Sequence, residues 1–181
     1  DLHADESYDM VVIVPKSGKL MSQAQRLIDA HVTNDSLRIR LVRADELYNE
    51  FSSGTPDAMA YRRYLKMLYD KAGSENDMPK FLLLFGDAAW DNRMVTQDWR
   101  NSSPDDYLLC YESWNSTNEV SSYVTDDFFG VLDDGEGENL SYDKLDIFIG
   151  RFPVTTEAEA KIMVDKTIDY MNNKNVGAWK N

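Results

Sequence analysis

Phe81-Leu-Leu-Leu-Phe-Gly-Asp87 is an uninterrupted apolar run stopped by a glycine and an acid. It is too short for a buried helix and too continuous for a strand with one wet face, so it reads as a strand covered on both sides. Tyr8-Asp-Met-Val-Val-Ile-Val-Pro15 has the same character, with a β-branched run that ends at a proline. Two such strands, separated by helical stretches, point to a buried parallel sheet.

The neighbouring segments fit that frame. Leu20, Ala24, Leu27, Ile28 and His31 recur at helical spacing and predict an amphipathic helix from about Lys19 to Val32. Leu37-Arg-Ile-Arg-Leu-Val42 alternates apolar and basic residues, as a half-buried or edge strand does. Thr55-Pro56-Asp57 predicts a helix start, with Thr as cap and Pro in the first turn. That helix should run to about Ala72, with Ala60, Tyr64 and Leu68 on one face and Gly73 ending it.

Residues 88–118 carry Trp90, Trp99 and Trp114 among Asn, Asp and Ser. They predict an irregular insertion holding one short strand, Tyr107 to Cys110. Phe128-Phe-Gly-Val-Leu132 and Leu145-Asp-Ile-Phe-Ile149 predict strands on either side of the loop Asp133 to Asn139. Thr156-x-x-Glu159 is a capping box that opens a last helix, whose face carries Ala160, Met163, Val164, Thr167, Ile168 and Met171. The chain closes on Val176-Gly-Ala-Trp-Lys-Asn181. This order implies right-handed crossovers and an α/β fold, with a mostly parallel sheet and helices on both faces, in one domain over 1–181.

Composition excludes several roles. With 19 Lys+Arg against 32 Asp+Glu the formal charge is -13, and no basic stripe offsets it, so nucleic acid is not an expected partner. No apolar run approaches the roughly 20 residues of a spanning helix, so this segment is not expected to insert in a membrane. The opening DLHADESYDM has neither the basic start nor the apolar stretch of a signal peptide. One cysteine, Cys110, allows no internal disulfide and no cysteine-based zinc site.

In folds of this class ligands are met at the carboxyl ends of central strands. Those ends are Pro15 to Gly18, Gly86 to Asn92 and Gly150 to Pro153. A thiol nucleophile needs an imidazole beside it. His3 sits in a polar end segment, His31 shares a helical face with Leu27 and Ile28, and Cys110 ends an apolar stretch as a buried small residue would. No Gly-x-Ser-x-Gly elbow is present. Pro15-Lys-Ser-Gly18 has one glycine and reads as a plain strand-to-helix turn rather than a phosphate cradle.

What remains is acidic. Asp87, Asp91 and Asn92 follow one strand, Asp126 and Asp127 precede another, and Arg151 stands where an ion pair with one of them is the default. Such carboxylates could hold calcium or act as acid and base, and they could equally cap turns. The loop Asp133 to Asn139 has oxygens for calcium but breaks the EF-hand spacing. The candidate ligand-binding or interface set is therefore Asp87, Asp126, Asp127 and Arg151. No residue is assigned a catalytic role, no cofactor is required, and calcium is the one metal the residues suggest.

Four segments in order add a resemblance. Phe81-Leu-Leu-Leu-Phe-Gly-Asp87, Thr125-Asp-Asp-Phe-Phe-Gly130, Asp146-Ile-Phe-Ile-Gly-Arg-Phe-Pro153 and Asp165-Lys-Thr-Ile-Asp-Tyr170 resemble the gingipain (C25) cysteine peptidases. Tyr48-Asn-Glu-Phe-Ser-Ser-Gly-Thr-Pro-Asp57, with Asp87 to Arg93, is similar to the family's Type IX secretion system sortase branch. At Asp87-Ala88 the chain departs from the secreted gingipains, which carry Asp-His.

The resemblance implies the N-terminal half of a caspase-like catalytic domain. The family's catalytic His, in a Gly-His-Gly segment, and its catalytic Cys both belong to the second half, whose first strand would begin near Trp179-Lys-Asn181. No family catalytic residue maps onto this sequence. The implied setting is the cell surface or outer membrane of a Gram-negative bacterium. The implied activity is cleavage of C-terminal sorting signals. The implied partners are the C-terminal catalytic half of the same protein, other secretion-system components and cargo proteins. Two readings stay beside it: a free-standing α/β module holding a small ligand or nucleotide beyond Pro15-Lys-Ser-Gly18, and a calcium-stabilised structural domain.

Overall fold

In the computed structural model, which describes residues 1–115 and 117–172, the two apolar runs are the central strands of one sheet. The regular elements are β1 (Met10–Val14), α1 (Met21–Asp35), β2 (Ile39–Arg43), α2 (Ala44–Phe51), α3 (Met59–Lys71) and β3 (Phe81–Phe85). They continue with β4 (Tyr111–Glu112), β5 (Val124–Thr125), β6 (Phe148–Phe152) and α4 (Glu157–Met171). The main sheet has strand order β2-β1-β3-β6 and every pairing in it is parallel. Strands β4 and β5 form a small antiparallel pair outside it.

Alternation along the strands divides the core in two. Val11, Ile13, Leu82 and Leu84 face α2 and α3, packing with Leu47, Tyr61, Tyr64, Leu65 and Leu68. Met10, Val12, Val14, Leu83 and Phe85 face α1 and α4, packing with Leu27, Ile28, Ala160 and Val164. The expected α/β fold, a parallel sheet with helices on both faces, is what forms. All five residues of β1 are buried, while β2 at one edge is mostly half-buried.

Four expectations are corrected. The helix expected from Thr55 begins at Met59, because Ser53 and Gly54 turn the chain with positive φ (55° and 82°) and Asp57 provides the start. The Asp57 carboxylate accepts the Met59 N–H at 2.9 Å. A separate helix, α2, not expected from the sequence, precedes that turn at Ala44–Phe51. The Arg43 N–H donates to the Glu46 carboxylate at its first turn, at 2.9 Å.

The short strand expected at Tyr107 to Cys110 lies instead at Tyr111–Glu112, where β5 supplies a partner. The strand expected at Phe128 to Leu132 is a 3₁₀ turn, Asp127–Gly130. Its aromatics are buried as a strand's would be, but against α3: Phe129 packs 5.5 Å from the Tyr61 ring and Arg62 lies over Phe128. Finally, β6 is displaced a few residues along the chain from Leu145 to Ile149.

The Thr156 capping box forms as expected. The Thr156 hydroxyl accepts the Glu159 N–H at 3.3 Å, and the Glu159 carboxylate accepts the Thr156 N–H at 3.1 Å. Val176 to Asn181, including Trp179, lie outside the described residues.

Candidate functional site at the carboxyl edge of the sheet

Parallel pairing of β3 with β6 sets Leu84 opposite Arg151 and Phe85 opposite Phe152. Gly86 and the Arg151 side chain are thereby brought to one place. The Arg151 guanidinium is inside the structure, its side chain only 13% exposed. Its Nε and Nη2 donate to both carboxylate oxygens of Asp126, at 2.8 and 2.6 Å. Nη1 donates to the Gly86 carbonyl at 3.0 Å, and Nη2 also reaches the Leu109 carbonyl at 3.2 Å. One arginine thus ties together β6, the end of β3, the irregular 88–110 segment and the turn after β5. Planar two-point pairing suits a guanidinium and would not survive replacement by lysine.

The other two candidates are placed differently. The Asp87 carboxylate turns back to accept the Ala88 N–H at 2.8 Å. The Asp87 main chain donates to the Val154 carbonyl and accepts from the Leu108 N–H. Asp127 is exposed at the start of the 3₁₀ turn, where its N–H donates to the Thr125 hydroxyl. The structure therefore joins Arg151 with Asp126, keeps Asp87 beside them as a turn residue, and leaves Asp127 at the surface. Asp91 is also a turn residue: the Thr96 main-chain N–H, 2.7 Å away, holds its carboxyl below the usual range.

Asp126 and Arg151 line a cleft of about 220 Å³ together with Ala88, Ala89, Trp90, Cys110, Val124 and Thr125. An adjoining hollow of about 360 Å³ shares Trp90 and Val124 and adds Glu112 and Tyr123. Burial, helped by the charge of Asp91, raises the Glu112 carboxyl, which accepts a hydrogen bond from the Asn92 amide. Glu112 and Tyr123 were not among the expected residues. The signal that could have found them is the β4–β5 pairing, which periodicity over two-residue strands does not register.

Cys110 is buried, with its sulfur 3.9 Å from the Ala89 carbonyl oxygen. Burial, and then the neighbouring Glu112 charge, push its thiol above the ordinary range, opposite to what a nucleophilic thiolate needs. Neither histidine accompanies it. His3 lies tilted against Phe51 with ring centres 4.6 Å apart, and His31 Nδ1 lies 2.7 Å from the Asp35 carboxylate.

The turn Pro15 to Gly18 is tied to the 105–106 turn. Ser17 donates its N–H to the Asp105 carbonyl at 2.8 Å, Lys16 pairs with the Asp105 carboxylate at 3.0 Å, and Lys19 pairs with Asp106 at 2.7 Å. The Gly18 N–H is likewise taken, by the Pro15 carbonyl at 3.1 Å.

In the acidic loop, Asp133, Glu136 and Asp146 each offer an oxygen within 4.8 Å of the others. Calcium prefers six to eight oxygens. The nearby Val131 and Glu136 carbonyls already accept hydrogen bonds from the Arg62 guanidinium, both at 2.8 Å.

The chain with this parallel sheet and the arginine bolt at its carboxyl edge belongs to Peptidase family C25, whose sequence pattern matches residues 3–181. Among solved structures it is similar to dimeric latent PorU from Porphyromonas gingivalis, with a TM-score of 0.85 and 41% sequence identity. That likeness covers 99% of this chain and 17% of the PorU chain, so the present chain spans a minor part of that relative's length. No curated protein matches it.

Proposed function

We propose that this chain is the non-catalytic N-terminal subdomain of a larger, caspase-like C25 cysteine peptidase. In this reading the parent is a cell-surface sortase of a Gram-negative bacterium that cleaves C-terminal sorting signals from cargo proteins. The reading is supported by the family membership and by the 41% identity to PorU over 17% of its length. The observation that carries it is the state of Cys110: buried, with a raised thiol and no histidine beside it. In this reading the nucleophile and base of the peptidase come from polypeptide other than this segment, which a buried thiol with no histidine beside it supports.

The segment's own contribution is mechanical. The Arg151–Asp126 pair fixes the carboxyl edge of the sheet, and with Trp90 and Val124 it shapes a rigid wall. That wall faces the catalytic half and borders the substrate cleft. The role requires no cofactor, and calcium would serve only to stiffen the 133–146 loop. Partners beyond the catalytic half are the secretion-system components and the cargo.

The test is a peptidase assay on two proteins. The parent should cleave peptides carrying a C-terminal sorting signal and lose activity with a thiol alkylator, whereas the 181-residue chain should be inactive. Cys110→Ala in the parent should leave turnover unchanged. Loss of activity in that variant, with its melting temperature preserved, would make Cys110 the nucleophile and overturn the reading.

A further inference from the structure

The β4–β5 ribbon is pinned to the core by Tyr111, which stacks on the buried Phe128 with ring centres 4.0 Å apart. Alternation then turns the next residue, Glu112, to the other face of the ribbon, where it stands opposite Val124. There Glu112 lines the hollow of about 360 Å³ with Trp90, Ser122, Tyr123 and Val124. The apolar parts of this lining are open to water: Trp90 is 59% exposed and Tyr123 50%.

Glu112 itself is half-buried and has no counter-charge. The Asn92 amide donates to its Oε1, and among the described residues no lysine or arginine pairs with the carboxylate. Asp126 and Asp9, by contrast, are held by Arg151 and Arg38. The nearby Asp91 adds a like charge, and burial acts in the same direction, so both raise the Glu112 carboxyl. A partly desolvated carboxylate without a partner is costly, and a cation entering beside it removes much of that cost.

Aromatic rings beside a carboxylate favour the same ligand, because a cation is attracted to a ring face. Val124 and the rings also offer cover for an alkyl stem, which long basic side chains carry behind their charge. An apolar side chain in the hollow would shut Glu112 away from water unpaired, and an acidic one would be repelled. The hollow shares Trp90 and Val124 with the cleft of about 220 Å³, so a chain seated in one continues into the other. In that cleft Asp126 and Arg151 neutralise each other, which leaves selection by charge to Glu112.

We propose that this hollow is a subsite for a lysine or arginine side chain of a peptide lying along the cleft, with Glu112 as counter-charge and Trp90 and Tyr123 as walls. The proposal rests on the proposed function and deepens it, since the peptide bound by a peptidase is its substrate.

The probes are acetyl-arginine amide and acetyl-lysine amide, with acetyl-norleucine amide as the uncharged control. Titrated into the 181-residue chain, the basic probes should shift the Trp90 indole N–H resonance and bind at least roughly 5-fold tighter than the control. Glu112→Gln should erase that preference while melting moves by no more than a few degrees. Trp90→Ala, read at the Glu112 amide, should weaken the basic probes roughly 3-fold or more. Equal affinity for the control, or no saturable shift, overturns the proposal. In the parent the basic probes should raise KM for peptide cleavage without lowering kcat, and Glu112→Gln should remove that competition. Thiol-dependent cleavage that the probes leave untouched overturns the substrate subsite and leaves the functional reading standing. Selective binding to the chain, with a parent that lacks thiol-dependent activity, overturns the functional reading and leaves the site for a basic side chain standing.

Discussion

Arg151 and Asp126, 25 residues apart in the chain, meet as a two-pronged ion pair with N–O distances of 2.8 and 2.6 Å, and the same guanidinium also serves two main-chain carbonyls. Side-chain exposures of 13% and 24% place the pair largely out of water. Removing one partner would leave the other charge uncompensated, along with the Gly86 and Leu109 carbonyls. Arg151→Met should destabilise the chain by about 2–4 kcal/mol in urea unfolding. Arg151→Lys should recover only a small part of that loss, because one ammonium cannot satisfy four acceptors in a plane. A loss below about 1 kcal/mol for Arg151→Met would show the pair to be dispensable.

Acid sensitivity should centre on Asp9. Arg38 donates to both of its carboxylate oxygens and Lys80 adds a third contact at 3.0 Å, so one carboxylate gathers the starts of β1, β2 and β3. The Arg38 hydrogen bonds hold the Asp9 carboxyl far below the usual range, outweighing the opposing effect of burial. A carboxyl lowered on folding stabilises the protein fully above its unfolded value, near 3.9, and that stabilisation is lost as pH falls toward the folded value. Stability should therefore drop as pH falls below about 4. Asp9→Asn should lower stability at pH 7 and flatten the acid limb. An unchanged slope between pH 4 and pH 2 in that variant would exclude Asp9 as the source.

Much of this architecture is legible in the sequence, and the parts that are not share a cause. Met10–Val14 and Phe81–Phe85 are read correctly because a strand covered on both faces has no alternation to misread. The Thr156 cap is read correctly because its partner is local, three residues on. Phe128 and Phe129 mislead because burial alone does not distinguish a strand from a packed turn, and their partners Tyr61 and Arg62 lie far away in sequence. The same holds for the site. Pairing of Arg151 with a carboxylate is the default reading of its position, but the choice of Asp126 over Asp87 and Asp127 depends on where a 3₁₀ turn begins.

Two glycines stand where a methyl group has no room, and their costs should differ. A Cβ at Gly86 would lie 2.8 Å from Pro15 Cγ and 3.1 Å from Pro15 Cδ, atoms of a rigid ring. At Gly130 the closest atom is Ile149 Cδ1 at 2.7 Å, the free end of a side chain that can rotate. Gly86→Ala should cost about 1–3 kcal/mol, and Gly130→Ala less. Gly86→Ala should also loosen the carbonyl held by Arg151, so its loss should shrink when combined with Arg151→Met. Thermal melts of the two single variants and the double variant give the ranking and the coupling.

Cys110 should be chemically quiet. Cys110 is only 6% exposed where it lines the cleft, and burial raises its thiol, so both access and thiolate fraction are low. Alkylation of the native chain at pH 7.5 should be at least roughly 100-fold slower than in denaturant, and should accelerate as denaturant opens the fold. The Glu112 charge contributes to the raised thiol, so Glu112→Gln should speed labelling modestly without changing the melting temperature by more than a few degrees. Rapid native labelling would mean that the cleft Cys110 lines with Trp90, Val124 and Arg151 widens to admit the reagent, and the rigid wall assigned to this edge would then be ruled out.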